Sequence, residues 1–254
     1  MGRRRLDADL VRRGLVASRT EAQQLISGNR VTVNGAIADK AARQVAPGDQ
    51  LVVTGPPARY VGRGAHKLEH ALDEFELDVV DARVLDAGAC TGGFTDCVLQ
   101  RGAGQVVAVD VGHGQLHERL RADPRVVNLE RTNVRHLDLD TIGGRVDLVV
   151  GDLSFISLRL VIAPLVSVCH PGASMVLLVK PQFEAGRAEV SRGRGIISDP
   201  EIWSRVKSEV AGALTAEGCR IVGWTESPIA GAEGNREFLV HARVAGHADV
   251  TVTT

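Results

Sequence analysis

Polar side chains capable of binding or catalysis stand at or beyond the ends of several apolar segments. They are Asp86, Asp110, Asn133, Asp152 and Lys180. Apolar runs of this length, separated by helical patterns, predict parallel strands that are covered on both faces. Ligands bind at the carboxyl ends of such strands, so we expect these side chains to line one ligand-binding edge of a sheet.

A glycine-rich turn, DAGACTGG, opens beside the first of these residues. Dinucleotide-binding turns have the pattern G-x-G-x-x-G, in which the middle glycine admits a diphosphate. Gly88 and Gly93 have the outer spacing, but Cys90 takes the middle position, which disfavours a nicotinamide dehydrogenase. The Asp86 carboxylate suits a cationic cofactor without phosphate, and Asp110 is placed to accept hydrogen bonds from a ribose. S-adenosylmethionine fits both observations.

Four charged residues, far apart in the sequence, are candidates for one catalytic network: Lys67, Asp152, Lys180 and Glu237. Each alone is most simply interpreted as a surface ion. Together, two ammonium groups and two carboxylates could form a neutral buried network.

Strand and helix patterns alternate through the segments that position these residues. They predict an α/β fold with a Rossmann-like sheet, mostly parallel, and helices on both faces. Helices are expected at 65–77, from the glycine-rich turn through 98, and at 201–216. Strands are expected at 84–85, 106–109, 126–127, 146–150, 175–179, 221–224 and 238–242.

The segment 181–200 is rich in glycine and carries Arg187, Arg192 and Arg194. We expect it to be irregular. Loops at the strand ends commonly close over substrates, so a lid or an RNA-contacting loop is one interpretation and an ordinary surface loop is the other.

Positive charge is concentrated near the amino terminus, although the whole chain has a formal net charge of −1. Residues 1–60 hold ten Lys and Arg against five Asp and Glu, a net of +5, which leaves −6 for the remainder. A concentrated positive surface favours a polyanion such as nucleic acid. The alternative is a solvated helix face without a partner.

Two short helices and a small sheet are predicted in this basic segment. The first helix begins near Leu6 and ends at Gly14, and Ser18 or Thr20 can cap the second. Asn34-Gly35 predicts a hairpin, and a further strand is expected at 51–53. Because Gly55-Pro56-Pro57 breaks regular structure, we expect a domain boundary there. The expected division is a small basic domain at 1–54, a linker at 55–64, a larger domain at 65–246 and a tail at 247–254.

Several other classes of protein are disfavoured by the sequence. The four cysteines include no C-x-x-C pair and the histidines no H-E-x-x-H pattern, so no metal site is expected. No apolar run approaches the ~20 residues of a membrane span, and the basic amino terminus lacks the apolar stretch of a signal peptide. The expectation is a cytoplasmic monomer with reduced cysteines and no membrane partner.

The segment RLDADLVRRGLVASRTEAQQLISGNRVTVNG, followed by VAPGDQLVV, resembles the small RNA-binding domain named after a small-subunit ribosomal protein. In that family the helix pair and its arginines contact structured RNA. The resemblance implies RNA contacts for Arg4, Arg5, Arg19, Arg30 and Lys40.

The segments VGRGAHKL, LDAGACTGGFTD, VDLVVGDLSFISL, LVKPQFE and GNREFL resemble FtsJ-like ribose methyltransferases, and among them the TlyA family, whose members are also called haemolysins. Cys90 departs from that family, which more often has serine there. The resemblance implies methyl transfer from S-adenosylmethionine to the 2′-hydroxyl of cytidine in small- and large-subunit rRNA, within ribosomal subunits. The cofactor-binding residues that it implies are Asp86, Gly88, Ala89, Cys90, Thr91, Gly92, Gly93, Phe94, Asp110, Asn133, Asp152 and Phe155; Phe155 packs against either the adenine or the core.

The family's Lys-Asp-Lys-Glu tetrad corresponds to the four charged candidates. Lys180 is expected to meet the hydroxyl, either as a neutral base or as a cation that stabilises the alkoxide. Asp152 would orient Lys180, and Glu237 would hold Lys67. A catalytically silent RNA- or ribosome-binding protein is the alternative; a pore-forming haemolysin is disfavoured because no segment is long and apolar enough to span a bilayer.

Overall fold

A computed structural model describes residues 2–16, 19–55, 59–231 and 233–246, and it divides into two compact units, Met1–Arg59 and Tyr60–Thr254. Each unit has hydrophobic core of its own. Tyr60, which the sequence assigns to the linker, is buried in the core of the larger unit. The predicted tail and the Pro56-Pro57 pair lie outside the described residues.

The smaller unit packs two helices against short strands. The first helix buries Leu6 and Leu10, and the second buries Leu25 and Ile26, against the apolar side of the sheet. The elements are β1 (Arg4–Arg5), α1 (Leu6–Arg12), α2 (Arg19–Ser27), β2 (Val31–Val33), β3 (Ala36–Ile37), β4 (Gln44–Val45) and β5 (Leu51–Val53).

These strands form two antiparallel sheets, β1-β4 and β3-β2-β5. The predicted hairpin is confirmed: Asn34 and Gly35 connect β2 to β3 with φ values of 53° and 82°, the left-handed conformations that a tight hairpin turn requires. The predicted helix cap at Ser18, and the side chain of Thr20, lie outside the part of the chain that the structure describes.

The larger unit is a seven-stranded sheet with helices on its faces. Its helices are α3 (Gly64–Glu74), α4 (Gly93–Gln100), α5 (Glu118–Arg121), α6 (Leu139–Ile142), α7 (Ile162–Ser167), α8 (Pro181–Glu184), α9 (Arg187–Arg192) and α10 (Pro200–Ala216). Its strands are β6 (Arg83–Ala87), β7 (Gln105–Val109), β8 (Val126–Leu129), β9 (Val146–Gly151), β10 (Cys169–Val179), β11 (Cys219–Glu226) and β12 (Phe238–Val244).

The strand order is β11-β12-β10-β9-β6-β7-β8. Strands β6 to β10 pair in parallel, and β12 runs antiparallel to both β10 and β11. Two apolar clusters, one containing Leu85 and Leu165 and the other containing Leu68 and Val98, form the core. This confirms the predicted Rossmann-like α/β fold, with its topological switch point between β6 and β9.

One prediction about this unit is wrong in part. The segment 181–200 was expected to be irregular, but it contains the two short helices α8 and α9 before the chain turns toward α10. Proline at the first position of α8 suits a helix start, because that residue needs no amide hydrogen bond there. Among the described residues, no helix is long and apolar enough to cross a bilayer.

Candidate active site

The glycine-rich turn connects β6 to α4 at the switch point. Gly88, Cys90 and Gly92 have φ values of 85°, 48° and 95°. A Cβ atom on Gly88 would lie 2.9 Å from the backbone oxygen of Asp152, so the turn lies directly against the segment that follows β9. Both the left-handed backbone and this close approach require glycine at position 88.

Asp110 lies at the carboxyl end of β7 and supports the same turn. Its Oδ2 accepts a hydrogen bond from the Cys90 amide at 2.9 Å, and its Oδ1 accepts one from the Gly112 amide at 2.7 Å. A carboxylate oxygen can accept more than one hydrogen bond, so Asp110 retains capacity for the hydroxyl groups of a ligand.

Asp86 lies inside β6 and is fully buried. The Thr95 hydroxyl donates to its Oδ2 at 2.6 Å, while its Oδ1 has no hydrogen-bond partner in the structure. Burial raises the pKa of Asp86 to about 7; the Thr95 hydrogen bond lowers it, and the nearby carboxylates of Asp152 and Asp110 raise it further. Asp86 is therefore a buried carboxyl group close to two others, those of Asp110 and Asp152.

Desolvation also raises the pKa of the Cys90 thiol, and the same carboxylates add to that increase. The glycine-rich turn therefore lies in a negative electrostatic field. Such a field opposes a diphosphate and favours a cationic ligand. The side chains of Ala89 and Phe94 lie in the core, whereas Thr91 lies beside Gly62 at the start of the larger unit.

Two other residues implied in cofactor binding lie at the surface. Asn133 is exposed beyond β8, and its side-chain oxygen accepts a hydrogen bond from the Arg135 amide at 3.0 Å. Phe155 is 91% exposed, so the alternative in which it packs in the core is wrong. Its ring contacts that of Phe183, with 5.2 Å between the centroids.

Lys180 follows the last residue of β10 and is buried, with a relative exposure of 8%. Its Nζ lies 2.6 Å from Oδ1 of Asp152, which follows β9, and donates a hydrogen bond to the Ser154 hydroxyl at 2.7 Å. Because β9 and β10 are parallel neighbours, their carboxyl ends bring this lysine and this aspartate together.

Lys67 and Glu237 form the second charged pair. The Lys67 Nζ, on α3, lies 2.5 Å from Oε2 of Glu237, which immediately precedes β12. Both side chains are buried, with relative exposures of 5% and 3%. Within this pair each charge is neutralised by the other, which is the usual condition for burying them.

Strand register relates the two pairs. Val179 of β10 faces Phe238 of β12, so Lys180 and Glu237 occupy the next facing positions across these strands. Gly64, one turn before Lys67 on α3, also lies near Asp152: a Cβ atom on Gly64 would be 3.6 Å from its Oδ2. The structure therefore places the four charged candidates at one edge of the sheet, in two ion pairs.

The positions implied in RNA binding have different surroundings. Arg5 and Arg19 both contact the buried carboxylate of Asp7, at 3.0 and 2.8 Å. The hydrogen bond from Arg5 is the main reason that the pKa of Asp7 lies well below its usual range. Arg4 and Lys40 are exposed, and the Arg30 Nε donates to the Thr54 carbonyl at 2.9 Å.

Two residues of the site were not predicted from the sequence. Ser154 is a hydrogen-bond partner of Lys180, and the buried Glu184 connects α8 to the segment after β9. A serine between Leu153 and Phe155 and a glutamate after Phe183 form no pattern that indicates such contacts. Within the described residues, no group of three or more His, Cys, Asp or Glu is arranged to hold a metal ion.

Comparisons with known proteins agree with this geometry. Residues 60–244 match the FtsJ-like methyltransferase family, and residues 4–51 match the S4 domain. A 16S/23S rRNA (cytidine-2′-O)-methyltransferase, TlyA of Mycobacterium tuberculosis, is 50% identical over 242 residues, which cover 95% of this chain and 90% of that protein.

Two further relatives carry the name hemolysin. Hemolysin A of Brachyspira hyodysenteriae is 38% identical over 93% of this chain and 98% of its own length. A solved structure of a hemolysin-named protein from Streptococcus thermophilus is 40% identical, has a TM-score of 0.77, and covers 96% of this chain and 90% of that one. The chain is therefore a methyltransferase of the FtsJ-like family, within its TlyA branch, and it carries an S4 domain.

Proposed function

We propose that this protein methylates the ribose 2′-hydroxyl of cytidine in the small- and large-subunit rRNA of ribosomal subunits, with S-adenosylmethionine as the methyl donor. The observation that carries the proposal is the ion pair between the buried Lys180 and the partly buried Asp152 at the switch point, directly beside the glycine-rich turn. The activity named for the 50% identical relative supports the choice of nucleotide and RNA.

The residues around the turn fit this donor. Asp110 is placed to accept from ribose hydroxyls, as an acidic residue does at the end of the second strand of related sheets. Asp110 and Asp152 are the carboxylates near the turn that suit a cationic sulfonium and its amino group, whereas Asp86, with a pKa of about 7, is only partly ionised at neutral pH. Gly88, Gly92 and Gly93 let the turn pack closely against the rest of the unit, because a Cβ atom at these positions would crowd Asp152, Leu120 and Ala65 respectively.

When bound, S-adenosylmethionine supplies a methyl group already activated for displacement by its sulfonium. The protein must then hold the 2′-oxygen in line and stabilise the charge that develops on it as the hydroxyl proton passes to water. Lys180 has an ammonium group fixed by Asp152 and Ser154 at the strand end, where it can donate a hydrogen bond to that oxygen.

Lys67 on α3 and Glu237 immediately before β12 support this arrangement. Glu237 faces Lys180 across β10 and β12, and Lys67 neutralises it at 2.5 Å. The pair therefore keeps a second carboxylate from competing freely for the Lys180 ammonium. We assign the S4 domain the task of docking rRNA, through its basic side chains Arg4, Arg5, Arg19, Arg30 and Lys40.

The direct test is transfer of a labelled methyl group from S-adenosylmethionine to purified ribosomal subunits, followed by nucleoside analysis of the rRNA. We expect label in 2′-O-methylcytidine from both subunits. Label in a base methyl group, or in another nucleoside, would contradict the proposed chemistry. Binding of subunits without any methyl transfer would instead favour the catalytically silent RNA-binding protein.

A further inference from the structure

Glu184, at the end of α8, is a buried carboxylate that the reaction described above does not use. Its relative exposure is 5%, and it lies four residues after Lys180. Its two carboxylate oxygens accept hydrogen bonds from the Ser157 hydroxyl, at 2.5 Å, and from the Leu158 amide, at 2.6 Å. Thus Glu184 fastens the segment after β10 to the segment after β9.

Arg159 completes this contact. Its Nε lies 3.4 Å from Oε2 of Glu184, and its Nη2 donates to the Glu184 backbone carbonyl at 3.1 Å. On the other side, its Nη1 lies 2.9 Å from Oε2 of Glu209 on α10. The charge of Glu184 is therefore compensated within a network that is anchored on a long helix.

The two strand-end segments interlock at successive positions. Lys180 donates to Ser154, the Phe183 ring contacts the Phe155 ring, and Glu184 binds Ser157 and Leu158. Between these contacts Phe155 has a φ of 64°, a left-handed conformation that a residue with a side chain adopts only where its surroundings impose it. We call the two hydrogen bonds from Ser157 and Leu158 to Glu184 the clamp. The clamp lies after Phe155 in the chain, and the hydrogen bond from Lys180 to Ser154 lies before it.

We propose that Glu184 is a positioning residue for methyl transfer: it fixes the segment Ser154–Arg159, and through Ser154 it fixes the Lys180 ammonium. The inference rests on the proposed function, because it assigns Lys180 to the reacting oxygen. Glu184 itself is buried, and both of its carboxylate oxygens are bound by Ser157 and Leu158. Its loss should therefore slow the chemical step without weakening binding.

The test compares Glu184→Gln with Glu209→Gln. Both substitutions remove a carboxylate that contacts Arg159, but only the first removes the acceptors for Ser157 and Leu158. Glutamine places an amide group against these two donors, since it has only one acceptor oxygen. Because small displacements of catalytic groups can be costly, we expect kcat for Glu184→Gln to fall about 10- to 100-fold. The KM for subunits and the Kd for S-adenosylmethionine should stay as in the wild type, and Glu209→Gln should have wild-type kinetics.

A double variant separates positioning from general stability. If Glu184 acts through Ser154, then Glu184→Gln should lower kcat much less in a Ser154→Ala background than in the wild type. Equal fold losses in both backgrounds, or wild-type kcat for Glu184→Gln, would overturn the inference. If Glu184→Gln does not fold, the variant Ser157→Ala replaces it in the test. A fall in kcat smaller than the roughly 10- to 100-fold loss expected for Glu184→Gln would support the inference, and an unchanged kcat would overturn it.

Hydrogen exchange gives a readout that does not depend on the reaction. The Leu158 amide should exchange faster in Glu184→Gln than in Glu209→Gln, because its acceptor is weakened only in the former. Equal exchange rates would refute the clamp. If the wild-type protein transfers no methyl group to rRNA, the proposed function fails, whereas the exchange experiment still measures the clamp.

Discussion

Lys67 and Glu237 are a charged pair that water barely reaches. Removing water from two ions is costly, and their mutual attraction offsets that cost only while both are present. The sequence could propose these residues as partners, since the family pattern contains both. It could not reveal their burial, because Lys67 lies in an ordinary amphipathic helix and Glu237 in a polar segment before β12.

Removing one member of this pair should destabilise the fold more than removing both. We expect Lys67→Met to lower the free energy of unfolding by about 3–5 kcal/mol, since it leaves a buried unpaired carboxylate. The double variant Lys67→Met/Glu237→Leu should recover part of that loss. Urea denaturation at pH 7 measures both values.

An exposed pair serves as the control for that comparison. Arg236 and Glu226 lie 2.6 Å apart with side-chain exposures of 51% and 44%, so Glu226→Gln should cost less than about 1 kcal/mol. The single variant Glu237→Leu completes the comparison. If the double variant loses as much unfolding free energy as the two single variants added together, the two charges are independent, contrary to our account.

At the scale of elements, hydrophobic patterning predicted the strands that carry the site, because parallel strands buried on both faces are nearly continuous apolar runs. It missed β1 and β4, whose two residues each are too short for any alternation. It placed the start of β10 at 175 instead of 169, since the segment contains Pro171 and Gly172 and its pairing with β9 is interrupted there. It missed α8 and α9, which at four and six residues are too short to show a helical period.

When alanine replaces a glycine, the destabilisation can come from close contact of the new Cβ atom or from the left-handed backbone. Comparing Gly88 of the glycine-rich turn with Gly172 of β10 separates these two costs. Gly88 and Gly172 have similar φ values, 85° and 82°, but a Cβ atom would be 2.9 Å from Asp152 O at the first and would meet nothing within 4 Å at the second. Gly172→Ala should therefore cost about 1–2 kcal/mol, for the left-handed conformation alone.

Gly88→Ala should cost clearly more than this and should also weaken S-adenosylmethionine binding. Urea denaturation and calorimetric titration of the cofactor measure the two effects. Equal stability losses in the two variants, with unchanged cofactor affinity in Gly88→Ala, would mean that the contact between the turn and the segment after β9 is unimportant.

His241 of β12 should make stability depend on pH. It is buried, its Nε2 lies 3.1 Å from the Ser174 hydroxyl, and burial, followed by Arg243 and Arg220, lowers its pKa to about 4. The unfolded chain, in which the histidine pKa is ~6.5, binds this proton more readily than the folded protein does. Stability should therefore fall as the pH falls from about 6.5 to about 4, by up to about 3 kcal/mol.

The variant His241→Gln should be free of this dependence, and the exposed His170→Gln should retain it. We compare the unfolding free energies at pH 7 and pH 5 for each protein. Asp86, with its raised pKa, stabilises the folded protein as the pH falls over this range, which is opposite to the effect of His241. Because both proteins contain Asp86, its contribution cancels when the pH dependence of the variant is subtracted from that of the wild type. An identical pH dependence in the wild type and His241→Gln would contradict the role of this residue.

At the scale of the whole molecule, charge is divided between the two units. The sequence showed the excess of positive charge in residues 1–60, but it could not show which cations are committed internally. Asp7, which the sequence treats as one acidic residue among five, is buried and holds two of the arginines implied in RNA binding. Arg4 and Lys40 are exposed and lie outside that arrangement.

Arg4→Ala/Lys40→Ala should therefore weaken RNA binding while sparing the chemistry. We expect the KM for subunits to rise and kcat to stay constant. The slope of log K against log salt for rRNA binding should fall by roughly 1–2, since up to two phosphate contacts are lost. Arg220→Ala, an exposed cation of the larger unit, is the control. An unchanged salt slope in the double variant would place the RNA contacts elsewhere.

The most direct test of the account replaces the lysine at the end of β10. Lys180→Ala should reduce transfer of labelled methyl groups to ribosomal subunits to background, while calorimetry shows S-adenosylmethionine bound with wild-type affinity. Methyl transfer by Lys180→Ala at a rate near that of the wild type would contradict the assignment of this buried ammonium to the reacting oxygen.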